Sequence, residues 1–394
     1  MMLAPFARLP CDRVTACVAV GDGTIAFTSA KGTLVFADSD GVIVDELEMP
    51  EPGLSTTDLQ AGADGTLVGF SGVYGNPNGV LLARRGDSIV RRWQTDIKQP
   101  HVDPIPGVGA LVSGNDEIYL VLWDMTVEAL VGPRLRGRDL SVLNGPHWWN
   151  HDVLVMTAIE PLSMEEPATD HEVHCMGGDG VVRFSSAGRN AIPVDDELAL
   201  VWAENALHVI DRNGARLDTL ERQTVIKHFA RALTRVGDDV VLKIDMFDRS
   251  PGLLRITPRT LSKPLWETPF PAANARFSQN WPVRVGRHIA IYLCGPPDQR
   301  GVFVVDAESG AHVTTLSCDQ ETVGGLVAVA DNVVSMNNVW GKQQLTYVWV
   351  GLDTSSPRQL KIQHEGASHH ALCVPKPGVL ACAFDDVVCL YRVS

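Results

Sequence analysis

The chain has 394 residues, 45% of them hydrophobic and 20% charged, with 33 Lys and Arg against 47 Asp and Glu for a net charge of −14. That composition belongs to a globular protein with a large core and excludes a disordered or fibrous chain. The acidic balance argues against nucleic-acid binding, no apolar run is long enough to span a bilayer, and MMLAPFARLP carries no apolar leader core, so the expected location is the cytoplasm.

In chain order, residues 2–9 form a short apolar segment with no partner nearby. VAVGDGTIAF (18–27) then reads as an apolar strand, a tight turn and a second apolar strand, since Asp-Gly turns tolerate positive φ. LVFADSDGVIVDELE (34–48) follows: an apolar strand ending in Asp, a Gly-bearing polar turn, and an alternating strand. Together they make a two-hairpin cassette. LQAGADGTLVGF (59–70) opens a second cassette, followed by basic residues at 84–92; these and 134–138 read as solvated hairpin tips or as a docking patch for an acidic partner. A third unit, 101–132, has a poor first strand. The fourth holds PHWWNHD (146–152), an apolar strand, and the segment EPLSMEEPATDH (160–171), read as an exposed insertion loop. The fifth, 191–221, begins with a very short strand but ends in the clear copy LHVIDRNGARLDTLE. VIKHFARALT (225–234) is the best helical candidate, yet it runs into ALTRVGDDVVLKID and reads as a strand entering a hairpin. PVRVGRHIAIYL, VFVVDAESGAHVTTLSC, GLVAVADNVVSM and ALCVPKPGVLACAF continue the series to VVCLYRV.

First-hairpin turns fall near residues 21, 63, 108, 151, 195, 238, 286, 331 and 376. A period of roughly 40–50 residues is the length of one four-stranded propeller blade. The near-continuous apolar runs of the central strands fit sheets covered on both faces. The expected fold is therefore all-β: a single β-propeller domain over residues 1–394, of about eight blades within a range of seven to nine, the third and fifth units being weak. Three strands close the sequence, so residues 2–9 are expected to supply the fourth strand of the last blade and close the ring, removing free edges.

The V-x-D-x-x-x-G-x-x-x-x-x-L pattern at residues 304–316 and its copy at 209–220 resemble the repeat of quinoprotein-like and WD40-related propellers. The resemblance covers most of the chain and implies fold, not activity. WD40 units carry G-H and W-D dipeptides, and this chain has Trp123-Asp124 once. The vicinal cysteine pair of the quinone-cofactor dehydrogenases is absent, which speaks against that chemistry.

Polar residues at the starts of first strands are candidates for the mouth of the central channel, where loops from all blades converge. They are Asp58, His101, His147 with Trp148, His228, Asn280 and His369 or His370. His147, His151, His171 and His174, with Cys175 beside them, are candidate metal ligands, although i and i+4 positions of one strand lie about 13 Å apart. Asp211 and Asp306 share a repeat position and read as turn-stabilising acceptors. The eight cysteines sit mostly in strand-like runs and read as buried structural thiols. Most of the nine tryptophans read as plugs between blades. No cofactor motif is present, and none is expected. The expected function is a non-enzymatic scaffold presenting one loop face to a protein partner; the alternative is an enzyme or a small-ligand or metal-binding protein working at the channel mouth.

Overall fold

The computed structural model describes the whole chain except residues 1–2, 51–57, 72–77, 88–89, 98–100, 115–116, 131–139, 143–146, 160–170, 189, 204–205, 222–232, 245–250, 272–275, 278–281, 295–299, 318–324, 338–344, 351, 353–356, 363–368 and 394. Among the described residues there are nine antiparallel sheets, numbered here as blades 1 to 9. Within each blade the strands are lettered a to d in pairing order. Blade 1, for example, runs Val14–Val20, Thr24–Ser29, Thr33–Asp38 and Ile43–Glu48. The a strands of neighbouring blades contact one another and so lie innermost. The fourth and seventh blades have a divided a strand, Leu140–Val142 with His147–Trp149 and Arg276–Phe277 with Val283–Val285.

Nine blades correct the expectation of about eight. The third and fifth units, weak in sequence, are full four-stranded sheets whose a strands are His101–Ile105 and Asn190–Pro193. They look poor because they contain Pro104 and Pro193. The a strand is an edge of its own sheet and pairs on one side alone, so a missing N–H is tolerated there. All nine expected turns lie in a–b connections. The strand reading also holds at Leu233–Val236, while 225–232 and residues 160–170 of the insertion loop expected at 160–171 lie outside the described residues; His171, its last residue, begins a strand instead.

Strand alternation explains why radial packing is stable. In strand b of blade 1, Ile25 and Phe27 face blade 9 while Ala26 faces blade 2, and all three are buried. The described apolar core consists of nine clusters, each shared by two neighbouring blades. Neither face of a blade is left to solvent, which is why the central strands read as unbroken apolar runs. Trp149, Trp202, Trp266 and Trp349 are buried in these clusters, as expected of plugs between blades.

The N-terminal strand Ala7–Pro10 pairs antiparallel with Val387–Arg392, Ala7 opposite Leu390 and Pro10 opposite Val387. It is the d strand of blade 9, as the unpartnered N-terminal segment implied. One of the nine clusters joins blade 9 to blade 1 through Cys373, Ala381, Val388 and Leu390 on one side and Val14, Cys17, Ile25 and Phe27 on the other.

Candidate functional site

The a–b turns lie on one face together with the short c–d turns of blades such as 1, 3, 5 and 7; blade 6 joins c to d through a longer segment with a 3-10 turn at Pro258–Thr260, and in blade 9 strand d is the N-terminal Ala7–Pro10. The turn face is the better described, and its geometry repeats. In the a–b turns, Asp22 Oδ1 accepts from the Thr24 amide at 3.0 Å and Asp64 Oδ1 from the Thr66 amide at 3.1 Å. In the c–d turns, Asp38 accepts from the amides of Asp40 and Val42, Asp211 from those of Asn213 and Ala215, and Asp306 from those of Glu308 and Ser309. The aspartates are there because a short carboxylate caps amides that a tight turn leaves without a backbone acceptor. The lone Trp123-Asp124 sits in the same place in blade 3, just past strand c (Glu117–Leu122), with Asp124 accepting from the Thr126 amide.

Between blades 1 and 2 the turns enclose a cavity of about 540 Å³ lined by Gly21, Asp22, Asp64, Arg84, Arg85 and Gly86. Arg84 Nη2 donates to Asp64 Oδ2 at 3.1 Å and Arg85 Nη1 to Asp22 Oδ2 at 2.5 Å. The Gly107 amide of blade 3 also donates to Asp64, at 2.7 Å. Burial pushes the Asp64 carboxyl up, but the Thr66 hydroxyl and amide, the Gly107 amide and Arg84 together hold it below the usual carboxylate range. Asp22 follows the same balance, with Thr24 and Arg85 outweighing burial. Arg84 also lies over the Trp123 ring, 4.8 Å from its centroid. The basic cluster at 84–92 is thus largely neutralised within the turn face rather than presented as free positive charge; the second cluster, 134–138, lies outside the described residues.

A second cavity, of about 440 Å³, opens at the turn end of the inner strands of blades 8, 9 and 1, lined among others by Val20, Ala328, Val374, Pro375 and Lys376. Further round the face, Arg212 of blade 5 reaches Asp152 and the Trp149 and Asn150 carbonyls of blade 4. Arg255 of blade 6 bonds Asp239 on its own blade and Ala307 O and Glu308 on blade 7. These guanidiniums fix the angle between neighbouring blades. Nothing in the sequence singled out Arg212 or Arg255, since an arginine beside a turn is indistinguishable from a solvated one until its neighbour is placed.

The surface around the first cavity is apolar at one point. Val42, Ile43 and Val44, where strand d of blade 1 begins, are 58%, 46% and 40% exposed. Gly41 packs on Ala7 of blade 9, and Phe6, the residue before Ala7, is exposed with the Arg392 guanidinium over its ring. The Gly86 amide donates to Asp45 on the other side at 3.2 Å.

Four of the residues expected at the channel mouth lie at the starts of inner-strand segments. Asp58, His101, His147 and His369 each begin an inner strand, of blades 2, 3, 4 and 9. His101 Nε2 lies 2.9 Å from Asp103 Oδ2 on its own strand. His228 and Asn280 lie outside the described residues. Trp148 is half-buried and packs against the cluster between blades 3 and 4. The histidines read as metal candidates are spread out. His151 sits in the a–b turn at φ +72°, with its ring edge-on to Trp148 at 6.3 Å. His174 is buried, with Nδ1 2.7 Å from Ser185 Oγ and Nε2 3.6 Å from Glu172. By strand alternation His147 shares a side with Trp149, toward blade 5, and His174 shares one with Met176, toward blade 3, so the sheet stands between them. His171 begins strand c of the same blade. Among the described residues, no three His, Cys, Asp or Glu side chains are placed to hold one ion.

No family model and no curated protein matches the chain. Solved structures do. The chain is similar to the Dos1 propeller at 12% identity and TM-score 0.53, over 99% of this chain and 95% of that one. It is similar to BamB from Moraxella catarrhalis at 9% identity and TM-score 0.51, over 100% of both. It is also similar to the WD40 domain of SCAP from fission yeast at 8% identity and TM-score 0.50, over 98% and 96%. At such identities the likeness is one of fold: the chain is a β-propeller. No helix among the described residues is long and apolar enough to cross a membrane.

Proposed function

We propose that this chain is a non-enzymatic scaffold: one closed ring of nine blades that docks a protein partner on its turn face, across the junction of blades 9, 1 and 2. The observation that carries this is the exposed run Val42–Ile43–Val44, next to the Gly41 contact with Ala7 of blade 9 and flanked by Asp40, Asp45 and Glu46. Three consecutive exposed β-branched residues serve no packing role within their own blade, and apolar patches rimmed by polar groups mark interaction surfaces. The ion pairs around the cavity beside them hold the surface rigid, which lowers the ordering cost of association. The ring's closure is supported by the pairing of Ala7–Pro10 with the last strand and by the cluster joining blades 9 and 1. Affinity capture from native cells with the full chain, quantified by mass spectrometry, tests the docking surface. A protein retained in stoichiometric ratio by the wild type and lost by V42D/I43D, with unchanged circular dichroism, is the expected result. Equal retention by both proteins, or no stoichiometric partner at all, overturns it.

A second reading places a small ligand at the channel mouth. It is supported by Asp58, His101, His147 and His369 all beginning inner strands, which gathers titratable groups around one axis. It predicts that a ligand from a metabolite panel raises the melting temperature of the wild type and that H101A abolishes the shift.

A further inference from the structure

Cys17 and Cys373 are 356 residues apart in sequence, and their sulfurs are 3.8 Å apart. Cys17 is on the inner strand of blade 1 and Cys373 on the inner strand of blade 9 (His369–Lys376), so the pair spans the junction between the first and last blades. Both are buried, each 8% exposed. The separation exceeds a sulfur–sulfur bond of about 2.05 Å by an amount that side-chain rotation and a small strand shift can take up.

Two further observations bear on this junction. The ladder of the blade 9 inner strand changes register between Cys373 and Lys376, around Pro375, and that of blade 1 does so between Val14 and Ala16. Both strands that carry the thiols are thus irregular beside them, and irregular ladders give way more readily than regular ones. The cavity of about 440 Å³ reaches the same place: its walls include Val374, next to Cys373, and Ala19, two residues from Cys17. Neither thiol lines the cavity, so a reagent held there meets the pair when these irregular strands give way.

We propose that Cys17 and Cys373 form an oxidisable dithiol that locks blade 9 to blade 1, with a low-molecular-weight disulfide such as oxidised glutathione as the oxidant. The thiolate of one cysteine attacks a sulfur of the reagent and displaces one thiolate. The second cysteine attacks the resulting mixed disulfide at the protein sulfur and displaces the other. The two cysteines lose two protons and two electrons and gain one S–S bond; the reagent is reduced to two thiols. The hydrogen bond with Cys17, together with burial, disfavours the Cys373 thiolate, which makes the locking slow and sets it apart from exposed reactive thiols. The bond would tie together the two ends of nearly the whole chain, the geometry in which a cross-link most constrains the unfolded state.

The test treats the folded, reduced full chain with oxidised glutathione and maps linkages by mass spectrometry after digestion without reductant. The expected product is a peptide pair joined through Cys17 and Cys373 and lighter by two hydrogens. A melting temperature raised by roughly 5 °C and restored by dithiothreitol should accompany it. C17S and C373S should each lose the rise, and C11S should keep it. The linkage map needs no variant, so it stands even where a substitution impairs folding. A bond between Cys382 and Cys389, which lie opposite each other on strands b and c of blade 9, overturns the proposal. So does a glutathione adduct that never resolves, or a melting temperature that does not move.

Discussion

A Cβ built on Gly41 would lie 2.5 Å from the Cβ of Ala7. Gly41 is in the c–d turn of blade 1, and Ala7 is in the outer strand of blade 9. The same contact recurs inside the chain. Gly214 of blade 5 sits under Phe184 of blade 4, and Gly310 of blade 7 under Trp266 of blade 6, at 2.5 and 2.6 Å by the same measure. The repeat glycine is therefore where one blade rests on the outer strand of the blade before it. By that criterion blade 9 stands to blade 1 as blade 4 stands to blade 5.

This contact can be separated from backbone strain. Gly41 and Gly86 occupy c–d turns at φ +88° and +84°, but a Cβ at Gly86 meets nothing within 4 Å. G86A should cost about 1 kcal/mol, from the left-handed backbone alone. G41A should cost roughly 2–3 kcal/mol, since it also forces blade 9 away. Urea denaturation gives both values, and A7G in the G41A background should recover the difference.

Arg255 is buried and bonds Asp239 by two nitrogens, at 2.8 and 3.1 Å, with Ala307 O at 2.7 Å from a third. R255M fills similar space but leaves Asp239 without its cation, and should cost about 3 kcal/mol. R255K should recover little, because one ammonium cannot reach acceptors on two blades at once. Melting curves at pH 7 settle the comparison. Glu308 is largely exposed, so E308Q should cost under about 1 kcal/mol.

Asp64 is held below the usual carboxylate range, so the unfolded chain takes up its proton first on acidification. Its contribution is complete above about pH 4 and is lost as pH falls further, through the lowered folded value. A plot of melting temperature against pH should therefore fall below pH 4, and D64N should flatten part of that fall while lowering the plateau at pH 7.

His208 acts in a different window. Burial and nearby Arg216 lower its pKa, against an opposing pull from Glu221. The folded state thus prefers the neutral ring, and stability falls as pH drops below the unfolded value of about 6.5. Nδ1 lies 2.9 Å from Thr219 Oγ1, a bond that glutamine can imitate. H208Q should remove the step that begins below about pH 6.5 in the melting profile and leave the fall below pH 4 in place.

Much of this architecture is written locally. The turn at Gly21-Asp22-Gly23, the copies at Asp211 and Asp306, and the alternating strands after them are fixed by residues within a few positions of each other. Their spacing therefore reveals the blades, and residues 2–9, unmatched in their own neighbourhood, point to a strand borrowed by the last blade. The inner strands of blades 3 and 5 were harder to see. His101–Ile105 and Asn190–Pro193 are short and contain proline, and what holds them is the flanking blades rather than their own pattern. The strand starts at His101, His147 and His369 were legible as positions, since each does begin an inner-strand segment. Their chemistry depends on neighbours from other blades.

The sequence alone determines the repeat, the strand order within each blade and the aspartates that cap the turns, because hydrogen bonding and side-chain alternation act over short stretches of chain. The tertiary structure alone decides that there are nine blades, that Arg212 and Arg255 bind their neighbours, and that Cys17 meets Cys373. Those relations arise from packing between sheets, and residues from 52 to 356 positions apart carry no mark of each other until the blades are stacked.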